Sequence, residues 1–223
     1  MNQHPAAVAR APEAIFATNK LLRNTYTLLS MTLIFSALMA AVSVVMAVSP
    51  MMAMVSSFGA IGIMFFVLPR TANSAAGIGV VFLITGMLGF GLGPMLNYYL
   101  AMPNGSELVA TAMGGTGVIF LALSGYALTT RKDFSFMGGF LMTGLIVIFV
   151  AAIANIFMAI PALSLAISAV IVMLMSGFIL YDTSRMVNGG ETNYIFMTIS
   201  LFINILNLFT SLLHLLGAFS GDD

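Results

Sequence analysis

Apolar runs of roughly 20 residues, each long enough to cross a bilayer core, recur seven times along the chain. They cover 26–48, 51–68, 75–100, 107–129, 135–158, 162–186 and 194–217. Short polar or helix-breaking stretches separate them. Ser49-Pro50 divides the first pair, and Pro69-Arg70-Thr-Ala-Asn73 ends the second run. Met102-Pro-Asn-Gly-Ser106 follows the third, Arg131-Lys-Asp133 the fourth, and Ile160-Pro161 the fifth. Asn188-Gly-Gly190 stops the sixth, where glycine suits a helix C-terminal turn. The pattern predicts an all-α membrane protein, a bundle of seven transmembrane helices. One domain covers 24–219, and the more polar residues 1–23 form a flexible tail. That tail lacks the short apolar core and small-residue cleavage pattern of a signal peptide, so it is expected to remain on the mature protein.

Composition agrees. The 223 residues are 61% hydrophobic and only 6% charged, against about 25% charged in soluble domains. The natural partner of such a surface is the lipid bilayer. Net charge is zero, which gives no reason to expect nucleic acid as a partner. The chain has no cysteine, which excludes thiolate catalysis and cysteine metal sites, and two histidines alone cannot build a zinc site. No cofactor is expected. The 19 methionines read as adaptable packing residues.

Charge sets the orientation. With the N-terminus cytoplasmic, Arg10, Lys20, Arg23, Arg70, Arg131, Lys132 and Arg185 all lie inside. This is the positive-inside pattern, and seven spans then place the C-terminus outside. All six tyrosines lie near span ends, as interfacial anchors would.

Polar residues inside the spans are the candidates for function. Six of the seven acidic residues lie in tails or connections; Asp182 instead ends the sixth apolar run. An intramembrane carboxylate is costly unless paired, hydrated or protonated. Asp182 shares a helix face with Ser164, Ser168 and Met175, and Arg185 is within reach one turn on. The pair reads either as an interfacial anchor or as a proton- or cation-sensitive latch. In the seventh run Ser200, Asn204, Asn207, Ser211 and His214 fall within about 80° of one another at 100° per residue. This stripe serves either interhelical hydrogen bonding or a water path. Gly86-Met-Leu-Gly89-Phe-Gly91-Leu-Gly93-Pro94 in the third run reads either as close packing with a proline kink or as a broken helix lining a cavity.

Two enzyme patterns are incomplete. Tyr181-Asp182 is like the first motif of an intramembrane aspartyl protease, but the seventh run holds no second aspartate. Ser124-Gly125 with His214 is like a rhomboid pair, but Ala122-Leu123 precede the serine where Gly-Ala would be needed. No catalytic activity is expected.

Ile179-Leu-Tyr-Asp182, Lys132-Asp133-Phe-Ser-Phe136, Asn155-Ile-Phe157 and Asn204-Ile-Leu-Asn-Leu-Phe209 resemble the Bax inhibitor (TMBIM) family. Leu21-Leu-Arg-Asn-Thr-Tyr26, Leu128-Thr-Thr-Arg-Lys-Asp133 and Gly189-Gly-Glu-Thr-Asn-Tyr194 resemble its bacterial YccA-like branch. The family resemblance implies a seven-helix fold with the last helix central and, in some members, a pH-sensitive calcium leak. In those members aspartates on the sixth and seventh helices share a proton, and an arginine on the second helix latches one of them. Asp182 matches the first aspartate, Arg70 stands where the arginine is expected, and Asn204 occupies the place of the second aspartate. An Asp–Asn pair cannot share a proton as two carboxylates do, and calcium prefers several carboxylate oxygens. The branch resemblance implies an inner-membrane protein that is a slow substrate and modulator of the membrane-anchored AAA protease FtsH.

Overall fold

The computed structural model describes residues 6–220, and side chains from Thr18 to Ser220. Nine α-helices account for nearly all of these residues. They are α1 (Ala6–Val45), α2 (Pro50–Phe66), α3 (Leu68–Thr71), α4 (Ala76–Gly91), α5 (Gly93–Leu100), α6 (Gly105–Thr130), α7 (Gly138–Met158), α8 (Pro161–Val187) and α9 (Tyr194–Phe219). A 3-10 turn at Ser135–Met137 leads into α7, and no strand occurs among the described residues. Helix reaches back to Ala6, through much of the segment expected as a tail. Met1–Pro5, with His4, and residues 221–223, with Asp222 and Asp223, lie outside the described residues.

Six helical segments are long and apolar enough to cross a membrane: Thr18–Val45, Ala76–Leu100, Gly105–Thr130, Ser135–Met158, Pro161–Val187 and Tyr194–Phe219. The run expected over 51–68 is shorter as a helix, because α2 has 17 residues. Its start is sharp. The Ser49 hydroxyl accepts the Met52 N–H at 3.3 Å, and Pro50 takes the first helical position. Its end is set by Pro69, which has no N–H to continue the helical ladder and crowds the backbone before it. The chain breaks at Val67 and resumes as the single turn α3.

The glycine-rich third run is one span with a bend at Leu92, where α4 ends and Pro94 opens α5. Its glycines serve close packing. A Cβ on Gly89 would collide with the backbone of Ser36, and one on Gly93 with Ser43, so α1 lies directly against α4 and α5. The C-terminus of α8 closes as the sequence pattern suggested: Gly189 has φ +76°, and the Gly190 N–H donates to the Arg185 carbonyl at 2.8 Å.

The last helix is central. Some 56% of the most apolar stretch of α9 is buried, against 6% for α7. Helices α1, α4, α6 and α8 all pack on α9, and Leu201, Phe202, Leu208 and Leu213 are fully enclosed. By contrast α7 leaves Phe140, Phe149 and Ile156 exposed, as a helix at the lipid boundary would.

Long-range hydrogen bonds gather one set of helix ends. Asn193, before α9, donates to Ala72 and Asn73 after α3, at 3.2 and 2.9 Å. Ser184 near the end of α8 donates to Lys132 after α6 at 3.0 Å. Tyr26 in α1 bonds to Ser124 in α6 at 2.5 Å. Lys20, Arg23, Arg70, Arg131, Lys132 and Arg185 therefore lie toward one end of the bundle. The tyrosines are less uniform than their spacing implied: Tyr98 is exposed, whereas Tyr99 is buried against Gly217 and Tyr26 turns inward.

Candidate functional site

Three adjacent polar residues near the end of α8 are each buried and each bond a different neighbour. Asp182 is 3% exposed and points at α9. Its Oδ2 accepts the Ser200 hydroxyl at 2.6 Å and the Asn204 amide at 2.9 Å. Ser200 and Asn204 are four residues apart on α9, so one helical face presents both donors to one oxygen. Thr183, fully buried, shares a hydrogen bond with Ser124 of α6 at 3.1 Å, and Ser124 with Tyr26 of α1 at 2.5 Å. Ser184, also fully buried, accepts the Phe134 N–H at 2.9 Å and donates to the Lys132 carbonyl. Successive helical residues point about 100° apart, which lets one turn join α1, α6, α9 and the loop after α6. Such bonds matter inside a bilayer, where the alternative is an unpaired polar group in hydrocarbon.

Neither candidate arginine pairs with Asp182. Arg185 points away, toward the α8–α9 connection. Its guanidinium lies 3.4 Å from Glu191, donates to the Gly190 carbonyl at 3.1 Å, and sits 5.6 Å from the centre of the Tyr181 ring. Arg70 donates to the Phe66 carbonyl and so closes the end of α2. Asp182 is held by neutral donors, and among the described residues the single ion pair is Arg185–Glu191.

The rest of the α9 stripe continues away from Asp182. The Asn207 amide donates to the Ile203 carbonyl at 2.9 Å, within its own helix. Ser211 is buried. His214 Nδ1 shares a hydrogen bond with the buried Ser168 of α8 at 2.8 Å. Thus α8 and α9 meet along a seam with polar pairs at both ends. Met175 and Leu208, buried in one apolar cluster, close its middle.

Ser124 and His214 are engaged with different partners, so they do not form a nucleophile–base pair. Among the described residues, no three acidic or histidine side chains converge as a metal-ligand set. An apolar cavity of about 590 Å³ lies elsewhere, between α1, α5, α6 and α9, lined by Leu33, Ala40, Leu96, Met113, Phe202 and Phe209 among others. It holds no titratable side chain.

Sequence reading found Asp182, Ser200, Asn204 and His214, but not the Tyr26–Ser124–Thr183 cluster. The available signal was the unbroken polar triplet Asp182-Thr-Ser184 at the end of an apolar run. Its partners lie 59 residues away at Ser124 and 157 at Tyr26, distances that helical periodicity does not reach.

The family model described as "Inhibitor of apoptosis-promoting Bax1" matches residues 18–221. The chain is 54% identical over 211 residues to an uncharacterized membrane protein of Vibrio cholerae, covering 95% of each chain. It is 48% identical over 209 residues to the Escherichia coli K12 protein named "Modulator of FtsH protease YccA", covering 94% of each. The corresponding protein of another Escherichia coli strain, equally similar, is named "Inner membrane protein YccA".

Proposed function

The chain belongs to the Bax inhibitor family, and we propose on that premise that it is a multi-pass inner-membrane protein that modulates the membrane-anchored protease FtsH. The observation that carries this reading is the 48% identity, over 94% of both chains, to the protein named for that activity. Seven crossings with the N-terminus cytoplasmic fit the geometry best. Counting α2 as a crossing keeps Lys20, Arg23, Arg70, Arg131, Lys132 and Arg185 on one side. At 17 residues, α2 is about 25 Å long, near the lower limit for a crossing. Residues 1–17, which precede the first crossing, are then a cytoplasmic handle that a membrane-bound protease can engage. Deleting 1–17 should abolish copurification with FtsH and lengthen the protein's half-life in cells that contain the protease. Copurification and half-life equal to those of the full chain would overturn the reading.

A second reading is favoured by one observation: a carboxylate buried at the end of α8 and held only by Ser200 and Asn204. In that reading the α8–α9 seam is a proton- or calcium-sensitive leak, with Asp182 and Asn204 as its gate and Arg70 and Arg185 as alternative charge partners when it rearranges. Asp182 alone offers calcium one carboxylate, so protons fit this donor set better. Purified protein in liposomes should pass protons, and Asp182→Asn should change the dependence of that flux on pH. Absence of flux, or identical flux in the variant, would remove this reading and leave the first intact.

A further inference from the structure

The two ends of the α8–α9 seam are built on one plan. Each helix contributes one titratable residue and one serine, and each titratable residue bonds the serine of the other helix. Asp182 of α8 bonds Ser200 of α9, and His214 of α9 bonds Ser168 of α8. In both helices the serine precedes the titratable residue by 14 residues, close to four full turns, so the two lie on the same face. At 1.5 Å per residue the ends are about 21 Å apart, most of a hydrocarbon core of about 30 Å. Both titratable residues lie five positions inside a helix end, Asp182 before Val187 and His214 before Phe219. Between them α9 places Asn207 and Ser211 on the same face.

We propose that the Ser168–His214 pair is a second proton-exchange site, facing the side of the membrane opposite Asp182. The proposal rests on the leak reading above and adds the residues that would sense the other compartment. Histidine suits this position because its charge changes within the physiological pH range. Among the described residues of the helices packed on α9, the imidazole is the titratable group within the seam at this end. On α8 no titratable residue lies between Pro161 and Leu180, and α1 and α4 bring none to this end. The phenol of Tyr99, from α5, belongs to a ring packed on Gly217, and Tyr98 and Glu107 are exposed at the rim.

The proton balance is simple. The imidazole takes a proton from its compartment and becomes a cation with two N–H groups, one of which hydrogen-bonds the Ser168 hydroxyl oxygen without transferring its proton. When Met175 and Leu208 separate and admit water, the proton passes to the Asp182 carboxylate. Asp182 releases it on the other side, and His214 returns to neutral. No bond other than N–H and O–H is made or broken.

The test uses the full chain reconstituted in one orientation, with the pH on each side set independently between about 5 and 8. Wild-type proton flux should respond to both compartments. His214→Gln should lose the response on the α9 C-terminal side and keep the response that Asp182→Asn removes. Ser168→Ala, which leaves the imidazole in place, should shift the His214-side profile, and Ser168→Thr should restore it. If flux is present and abolished by Asp182→Asn while His214→Gln and Ser168→Ala match wild type on both sides, the second site is wrong and the leak reading stands. If the wild type passes no protons, both fail.

Discussion

A carboxylate enclosed in an apolar bundle is kept in place by the hydrogen bonds it accepts, and at Asp182 both come from α9. The Asn204 amide is the more informative donor because it stands where the family resemblance implies a second carboxylate. Asn204→Asp would place that carboxylate beside Asp182, and two such groups must share a proton to coexist. The variant should therefore be stable at low pH and lose stability as pH rises and the shared proton leaves. Thermal unfolding in detergent at several pH values measures this; wild-type pH dependence in the variant would show that the two groups move apart. Asp133, in the loop after α6, illustrates the opposite sign. The Ser135 hydroxyl and N–H both donate to its carboxylate and hold its pKa below the usual value. Its contribution is present above the unfolded pKa and fades as pH falls through the folded one. Ser135→Ala should move the Asp133 titration upward, read by NMR of the side-chain carboxyl. Of these features the sequence revealed Asp182 through its isolation in an apolar run. It could not reveal that Arg185, one turn away, would turn to Glu191, because the loop conformation that brings Glu191 near depends on Gly189 and Gly190.

At the scale of single helices, six of the seven apolar runs coincide with helical segments long and apolar enough to cross a membrane; the run over 51–68 folds as the shorter α2, with a local cause in Pro69. Helix pairing was less legible. The stripe on α9 predicted an inward face, and the structure puts that face against α8. The glycines of the third run admitted two readings, and the structure holds elements of both: Gly89 and Gly93 lie close against Ser36 and Ser43 of α1, while the helix is interrupted at Leu92 and lines an apolar cavity through Leu92, Leu96 and Leu100. Periodicity could not choose between them, because small residues serve both a tight contact and a cavity wall. The tight contact has a measurable consequence. Gly93→Val must push α1 away from α5, and overpacking of this kind costs about 1–3 kcal/mol. Gly114→Val, at a position with open space around it, is the matched control. A lower melting temperature for the first and not for the second would establish the contact; equal melting temperatures would show that α1 is free to shift.

The whole bundle depends on where α2 goes. Its 17 residues make it shorter than any of the six segments long and apolar enough to cross a membrane, yet the hydrogen bonds from Asn193 to Ala72 and Asn73 hold its far end beside the start of α9. The loop after α8 lies at that same end, as does the Tyr26 region of α1 through its bond to Ser124. In the seven-crossing reading, a helical hairpin of α1 and α2 that begins and ends at one face of the bundle crosses twice. If α2 failed to cross, Arg70 would lie across the membrane from Lys20 and Arg23, against the charge bias that orients membrane proteins. The absence of cysteine makes this directly measurable. Ser74→Cys lies just after α3 and Ser106→Cys at the start of α6, both at exposed positions. A membrane-impermeant maleimide should label Ser106→Cys in intact spheroplasts and reach Ser74→Cys only after permeabilisation. Labelling of both from outside would mean that α2 turns back within the bilayer. It would also separate Arg70 from the Asp182 end of the bundle, so the same experiment decides whether this arginine can ever serve as a latch.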